Sequence, residues 1–103
     1  MALKYRIIYA PSAIYDLDEI YEYIVGKFYA PDTAERQVAR IIKAAETLAV
    51  FPKMYRVRRK NTGARICSVD NYLIVYRLDD VKHTVNILHV IYSRRDFDSI
   101  FQP

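Results

Sequence analysis

The stretch Asn71-Tyr72-Leu73-Ile74-Val75-Tyr76-Arg77, then Val85-Asn86-Ile87-Leu88-His89-Val90-Ile91-Tyr92 running into Ser93-Arg94-Arg95-Asp96-Phe97, decides the fold. Both runs are dense in β-branched and aromatic residues, and Asp79-Asp80 marks a turn between them. This pattern predicts consecutive strands at 72–78 and 82–92. Residues 85–92 read as the most buried strand of the chain. That strand empties into a pair of arginines, an arrangement that holds basic groups rigidly at a surface. Upstream, 65–69 alternates as a strand, and the tight turn Asp70-Asn71 joins it to the next in a hairpin.

The chain before this meander reads as helical. Residues 3–9 are rich in β-formers and predict a first strand, ended by Ala10-Pro11-Ser12. Ser12 is expected to be an N-cap, with Asp16, Asp18 and Glu19 opposing the helix dipole in the early turns. Ala13, Leu17, Ile20 and Ile24 mark one apolar face, and the helix is expected to close near residue 27. A second helix opens at Pro31-Asp32, where Asp32 and Glu35 have capping-box spacing. Ala34, Val38, Ile41, Ile42, Ala45 and Leu48 form the clearest helical stripe in the chain, and Phe51-Pro52 stops it. The short link predicts an antiparallel helical hairpin lying on a sheet.

Between hairpin and meander, residues 53–63 are basic and weakly patterned. Tyr55 and Val57 offer a strand start, and Asn61-Thr62-Gly63 reads as a turn. The expected order is β-α-α-β-β-β. This is an α+β fold with an N-terminal strand, an antiparallel helical hairpin, a three-stranded antiparallel meander completing the sheet, and a short C-terminal helix over 96–101.

One domain spanning 1–103 fits a chain of this length. It is 52% apolar and 27% charged, with two glycines and four prolines, as in ordinary globular proteins. No apolar run approaches the roughly 20 residues of a membrane span. Neither a signal peptide nor a membrane partner is expected, and the cytoplasm is the expected setting. The single cysteine, Cys67, permits no internal disulfide and reads as a small buried hydrophobe.

The net charge of +4 is uneven. Residues 1–51 carry six Lys/Arg and seven Asp/Glu, whereas 52–103 carry ten and five. Lys53, Arg56, Arg58, Arg59, Lys60 and Arg65 follow one another without an intervening acid. This asymmetry points to an acidic partner for the second half, against the simpler reading of a solvated basic surface.

His83 and His89 make no metal set, and there is no Gly-rich phosphate loop or serine-nucleophile motif. No cofactor is expected. His83 is expected to be exposed beside the Asp79-Asp80 turn, and His89 to be a satisfied histidine in its strand. Asp16, Glu19 and Glu22 read as a solvated polar face. Six of the ten tyrosines lie at or before residue 29 and are expected to pack the helices. Arg58, Arg59, Arg65, Arg77, Arg94 and Arg95 remain as candidate phosphate or acid binders, because a planar guanidinium donates two parallel hydrogen bonds. An RNA-cleaving site without metal could use such arginines for the phosphate charge and a Tyr, His or Lys for proton transfer, and Tyr92, next to the Arg94-Arg95 pair, is the most interesting of the tyrosines.

The sequence resembles the RelE/ParE superfamily of bacterial toxins from type II toxin–antitoxin systems. The resemblance rests on Tyr9-Ala10-Pro11-Ser12-Ala13 with Asp16-Leu17, Ile20 and Tyr23-Ile24, then Ala34 onward, Leu48 and Phe51-Pro52. It is strongest at Gly63-Ala64-Arg65, 71–77 and 87–96. Each motif is loose, but they run collinearly over nearly the whole chain.

The resemblance implies a growth-inhibiting toxin, of the kind tied to plasmid stabilisation, that a cognate antitoxin neutralises. ParE-like members act on DNA gyrase without catalysis of their own. RelE-like members are ribosome-dependent mRNA interferases, metal-independent endoribonucleases. The RelE branch typically has an arginine where this chain has Leu73, and lysines on the strand where only Arg65 is basic. The pattern here is closer to ParE, although ParE-like chains commonly carry His where Tyr92 stands. The RelE-like alternative would use Tyr92, Arg94, Arg65 and His89 catalytically. A second alternative is an inactive module that only binds its antitoxin. Under any of the three, the antitoxin is expected to cover the sheet and the basic surface, with an amphipathic helix in an apolar groove beside the helical hairpin.

Overall fold

Alternation along the strands and the helical stripes together build two layers, a five-stranded sheet with two helices packed on one face. The computed structural model describes residues 4–92. The elements run β1 (Arg6–Tyr9), α1 (Pro11–Phe28), α2 (Pro31–Thr47), β2 (Val57–Arg59), β3 (Ala64–Val69), β4 (Tyr72–Asp79) and β5 (Thr84–Tyr92). The strand order is β1-β5-β4-β3-β2.

This corrects the expected sheet in two respects. Four strands follow the helices, because Val57–Arg59 forms a short strand against Ala64 and Arg65. The sheet is also mixed, since β1 lies parallel to β5, with Arg6 opposite Thr84 and Tyr9 opposite Ile87. The helical hairpin after β1 carries the chain to the far edge, where β2 begins, and the antiparallel run from β2 brings β5 back beside β1 in a parallel sense. The short helix expected over 96–101 lies outside the described residues.

The helix ends also differ from expectation. Ala10 is the N-cap of α1, with Pro11 in the first turn, and no side chain caps it. Proline suits that position because its missing N–H would have no intrahelical partner. Ser12 is thereby released for another role. α2 likewise starts after Ala30 with Pro31 in its first turn, and no side chain caps it, so Asp32 and Glu35 make no capping box. At its other end α1 runs to Phe28, close to the expected residue 27, and Tyr29 caps it in the left-handed region at φ 53°.

The core lies between helices and sheet. Ala13, Ile20 and Ile24 of α1 and Ala34, Ile41 and Ala45 of α2, with Leu48, meet Tyr72, Ile74 and Tyr76 of β4 and Val85, Ile87 and Val90 of β5. Cys67 is buried among them, as expected, and burial pushes its thiol pKa up. Tyr76 is fully buried and its hydroxyl donates to the Pro52 carbonyl at 3.0 Å. Ala64, Val75 and Ile91, with Ile66, Leu73 and Leu88, form a second small cluster on the opposite side of the sheet.

Tyr76 pairs with Ile87 but Val75 pairs with His89, so Leu88 is an extra residue in β5. This β-bulge resets the alternation. Val85 and Ile87 face the helices before it, and Val90 does so after it.

Candidate functional site

Two places gather the side chains with chemical potential, one at the start of α1 against β5 and one along the C-terminal half of α2.

The first begins where β1 ends. β1 pairs with β5 only as far as Ile87, which leaves the next part of that edge to be satisfied otherwise. Ala10 N–H donates to the Ile87 carbonyl at 2.9 Å. Ser12 Oγ then donates to the carbonyl of the bulged Leu88 at 2.6 Å, and Asp16 Oδ2 accepts from Val90 N–H at 3.0 Å. The first turns of α1 therefore continue the ladder that β1 began, using side chains in place of a strand. The same Asp16 oxygen lies 3.2 Å from His89 Nδ1. Asp16 was expected on a solvated face; its real role is to hold a strand edge. Its spacing of four from Ser12, one helical turn, was the available signal.

At the end of β5, Tyr92 packs edge-on to Tyr72 with ring centroids 5.4 Å apart. Lys27 Nζ is 3.0 Å from the Tyr23 hydroxyl and lies over the Tyr23 and Phe28 rings. The Tyr23 hydrogen bond raises the Lys27 pKa. Tyr15, Tyr23 and Tyr29 are mostly exposed, so half of the six early tyrosines do not pack the helices as expected. His83 is exposed, as expected, and its ring lies 4.5 Å from that of Tyr5.

Among the described residues, the candidate catalytic side chains Arg65, His89 and Tyr92 do not converge. Arg65 stands opposite Tyr76 and Tyr92 opposite Tyr72. Four residues of β4 separate these positions, roughly 13 Å at about 3.3 Å per residue. Arg65 donates from Nη1 to the Tyr55 carbonyl at 2.5 Å, while His89 is engaged by Asp16. Arg77 follows Tyr76 on β4 and so projects from the other face, with Nη1 3.4 Å from the Thr62 carbonyl. Arg58 is exposed on β2. The Arg59 side chain, Arg94 and Arg95 lie outside what the structure describes. Among the described residues, no three His, Cys, Asp or Glu side chains gather to hold a metal ion, and no helix is long and apolar enough to cross a membrane.

The second place is a seam beside α2. Phe51, Pro52, Lys53 and Met54, with Tyr5, line an open apolar cup of about 680 Å³. Met54 also lines an adjoining groove of about 360 Å³ between α2 and β3, which includes Leu48, Tyr55, Ser68 and Val69 and ends at Arg40 and Asp70. Asp70 occupies the β3–β4 turn at φ 55°. It accepts two hydrogen bonds from Arg40 at 2.8 Å and one from Gln37 at 3.1 Å. The Arg40 guanidinium, then Gln37, holds the Asp70 carboxyl below its ordinary pKa. At the cup, Asp80 accepts from the Tyr5 hydroxyl at 2.6 Å and lies 3.6 Å from Lys53 Nζ. The Tyr5 bond is the main cause that lowers the Asp80 pKa, with Lys53 adding to it. Phe51-Pro52, a helix stop in the sequence, forms part of the wall of this cup, beside the helical hairpin where an apolar groove is expected.

Comparison with known proteins bears on the family and the fold. A family model described as "ParE toxin of type II toxin-antitoxin system, parDE" matches residues 7–97. The Sinorhizobium fredii protein named "Putative toxin Y4kP" is 34% identical over 96 residues, covering 92% of this chain and 95% of the relative. Among solved structures, the chromosomal ParDE toxin–antitoxin system from P. aeruginosa matches with a TM-score of 0.75 at 19% identity, covering 88% of this chain and 98% of that one. The toxin–antitoxin complex RelBE2 from Mycobacterium tuberculosis matches with a TM-score of 0.65 at 24% identity, covering 87% and 99%.

Proposed function

This chain belongs to the ParE toxin family, and we propose that it inhibits growth by binding DNA gyrase and is neutralised by a cognate antitoxin. That target sets its workplace in the cytoplasm.

The observation that favours binding over cleavage is the separation of Arg65, His89 and Tyr92. Metal-free phosphodiester cleavage needs an acid, a base and a phosphate clamp within hydrogen-bond reach of one scissile group. Here Arg65 is engaged by the Tyr55 carbonyl and His89 by Asp16, and Tyr92 stands at the far end of β4's register from Arg65. A binding mode asks only for a rigid surface. Tyr92, on the last strand of the core, leads directly into Arg94 and Arg95, and those arginines are assigned here to the gyrase contact.

The test is to add purified protein to a gyrase supercoiling assay and to a translating ribosome system. Inhibited supercoiling with intact mRNA is expected. Cleaved mRNA with untouched supercoiling would transfer the protein to the RelE-like reading. No effect in either assay, with antitoxin binding retained, would leave it an inactive binding module. Arg94→Ala and Arg95→Ala should each weaken inhibition, while Tyr92→Phe, which removes one hydroxyl, should change it far less.

A further inference from the structure

We infer that Tyr23, Gly26 and Lys27, on the outer face of the last turns of α1, join Tyr92 in one contact surface, and that a protein segment of gyrase occupies it, its backbone packed on Gly26 and a carboxylate on Lys27. The inference rests on the gyrase-binding reading and extends that contact from β5 onto α1.

Gly26 is exposed in the last turn of α1. Inside a helix only proline is less favourable than glycine. Capping does not explain the choice, because the left-handed cap position is held by Tyr29 at φ 53°. Nor is Gly26 itself left-handed, and a Cβ built on it would meet nothing within 4 Å among the described residues. The described fold gives no reason for the missing side chain. A segment arriving from outside does, because a bare helix surface lets another backbone come close.

The surroundings of Gly26 also point outward. Tyr23, Gly26 and Lys27 stand at i, i+3 and i+4, so they share a helix face. Tyr23, Phe28 and Tyr92 are 57%, 60% and 51% exposed. Large aromatic groups gathered in water mark an interaction surface. Lys27 Nζ donates to the Tyr23 hydroxyl at 3.0 Å and lies 5.4 Å and 5.9 Å from the Tyr23 and Phe28 ring centres. These partners orient the ammonium without neutralising it.

The patch is continuous with the end of β5. Tyr23 raises the Lys27 pKa most, and Tyr92 is close enough to add to the rise. Tyr72, edge-on to Tyr92, has its pKa raised chiefly by burial and then by both Tyr92 and Tyr23. An aromatic patch that carries Lys27, with Arg94-Arg95 following Tyr92 in sequence, fits a protein segment that is apolar and acidic. Glu22, exposed beside Tyr23, makes the face mixed in charge and would repel the phosphates of a nucleic-acid strand.

The test titrates the full-length chain against purified gyrase, against plasmid DNA, and against the antitoxin encoded by the adjoining reading frame. Gly26→Ala should raise the urea midpoint of the free chain, because alanine favours the helix, and yet weaken gyrase binding about threefold. Gly26→Leu should weaken it about tenfold or more. Lys27→Gln should weaken it less, by a factor that shrinks as salt rises. Val81→Ser, in the β4–β5 turn at the other end of the sheet, should change nothing. Amide hydrogen exchange on the unaltered gyrase complex is independent of how the variants fold, and added protection is expected over 22–29. Wild-type gyrase affinity in a folded Gly26→Leu chain, whether or not antitoxin binding is lost instead, would overturn the surface while leaving the gyrase reading standing. So would protection confined to other segments, or binding to plasmid DNA alone that Gly26→Leu weakens. Failure of the unaltered chain to bind gyrase would overturn both.

Discussion

The two flanks of the sheet solve the same problem in opposite ways. Both β5 and β3 outrun the strand beside them. β1 stops at Ile87, and α1 then supplies Ser12 and Asp16 to bond the Leu88 carbonyl and the Val90 amide. β2 reaches only Ala64 and Arg65 of β3. Beyond it Tyr55 and a groove lie beside Cys67, Ser68 and Val69. The first flank satisfies its backbone internally with short polar side chains. The second leaves apolar and basic groups facing water. An edge that is closed from within has little to offer a partner, and an edge that is left open invites one.

Removing the closure should therefore matter more than altering the open edge. Asp16→Ala strands the Val90 amide and is expected to cost about 1–3 kcal/mol in urea unfolding. Ser68→Ala on the open flank should stay within about 0.5 kcal/mol. Equal losses would break the contrast between the flanks.

A smaller effect tests how the open flank is braced. The Tyr76 hydroxyl ties β4 to Pro52 in the wall of the cup, so Tyr76→Phe should cost about 0.5–1.5 kcal/mol. Burial pushes the Tyr76 pKa from 10.0 to about 12. The unfolded chain then ionises first, and this contribution is full below pH 10.0 and lost as pH rises toward about 12. The wild-type protein should lose stability over that window by more than Tyr76→Phe does in base-unfolding curves.

The smallest effect lies at the outer end of the seam. Arg40 and Gln37 depress the Asp70 carboxyl below its ordinary 3.8. Its stabilisation is thus present above that value and is lost as pH falls through the lower folded-state pKa. In Arg40→Gln, the carboxyl titration followed by NMR should move back up toward 3.8. Because the pair is exposed, added salt should shrink the difference between the two proteins. A titration unchanged by the substitution would mean that the pair is not formed in solution.

The sequence displayed the periodic parts of this architecture plainly. The stripe from Ala34 to Leu48 and the β-rich runs of β4 and β5 predicted their elements to within a few residues, because burial on one face imposes a period. The parallel placement of β1 was not legible, since a strand's own pattern says nothing about which neighbour it joins. The edge roles of Ser12 and Asp16 were hidden for a different reason. Both residues are ordinary early-helix choices, and only the early end of β1 gives them a strand to serve. An apolar groove beside the helical hairpin was legible, but its lining was not, because Phe51, Pro52, Lys53 and Met54 each look like a helix stop or a loop. Arg65 was legible as a basic residue on its strand, but the bond from its Nη1 to the Tyr55 carbonyl was not, because it depends on where the loop after α2 passes.

The bulge at Leu88 has a consequence for numbering. It inserts one residue between the half of β5 that starts the sheet and the half that ends it, so parity along the strand is not conserved. A homologue without the insertion would present its equivalents of Val90 and Tyr92 on the opposite surface while aligning with this chain over Val85 and Ile87. Residue roles near Tyr92 must therefore be transferred by counting back from the end of β5. Counting forward from its start would put the wrong side chain on the surface from which the chain enters its last eleven residues.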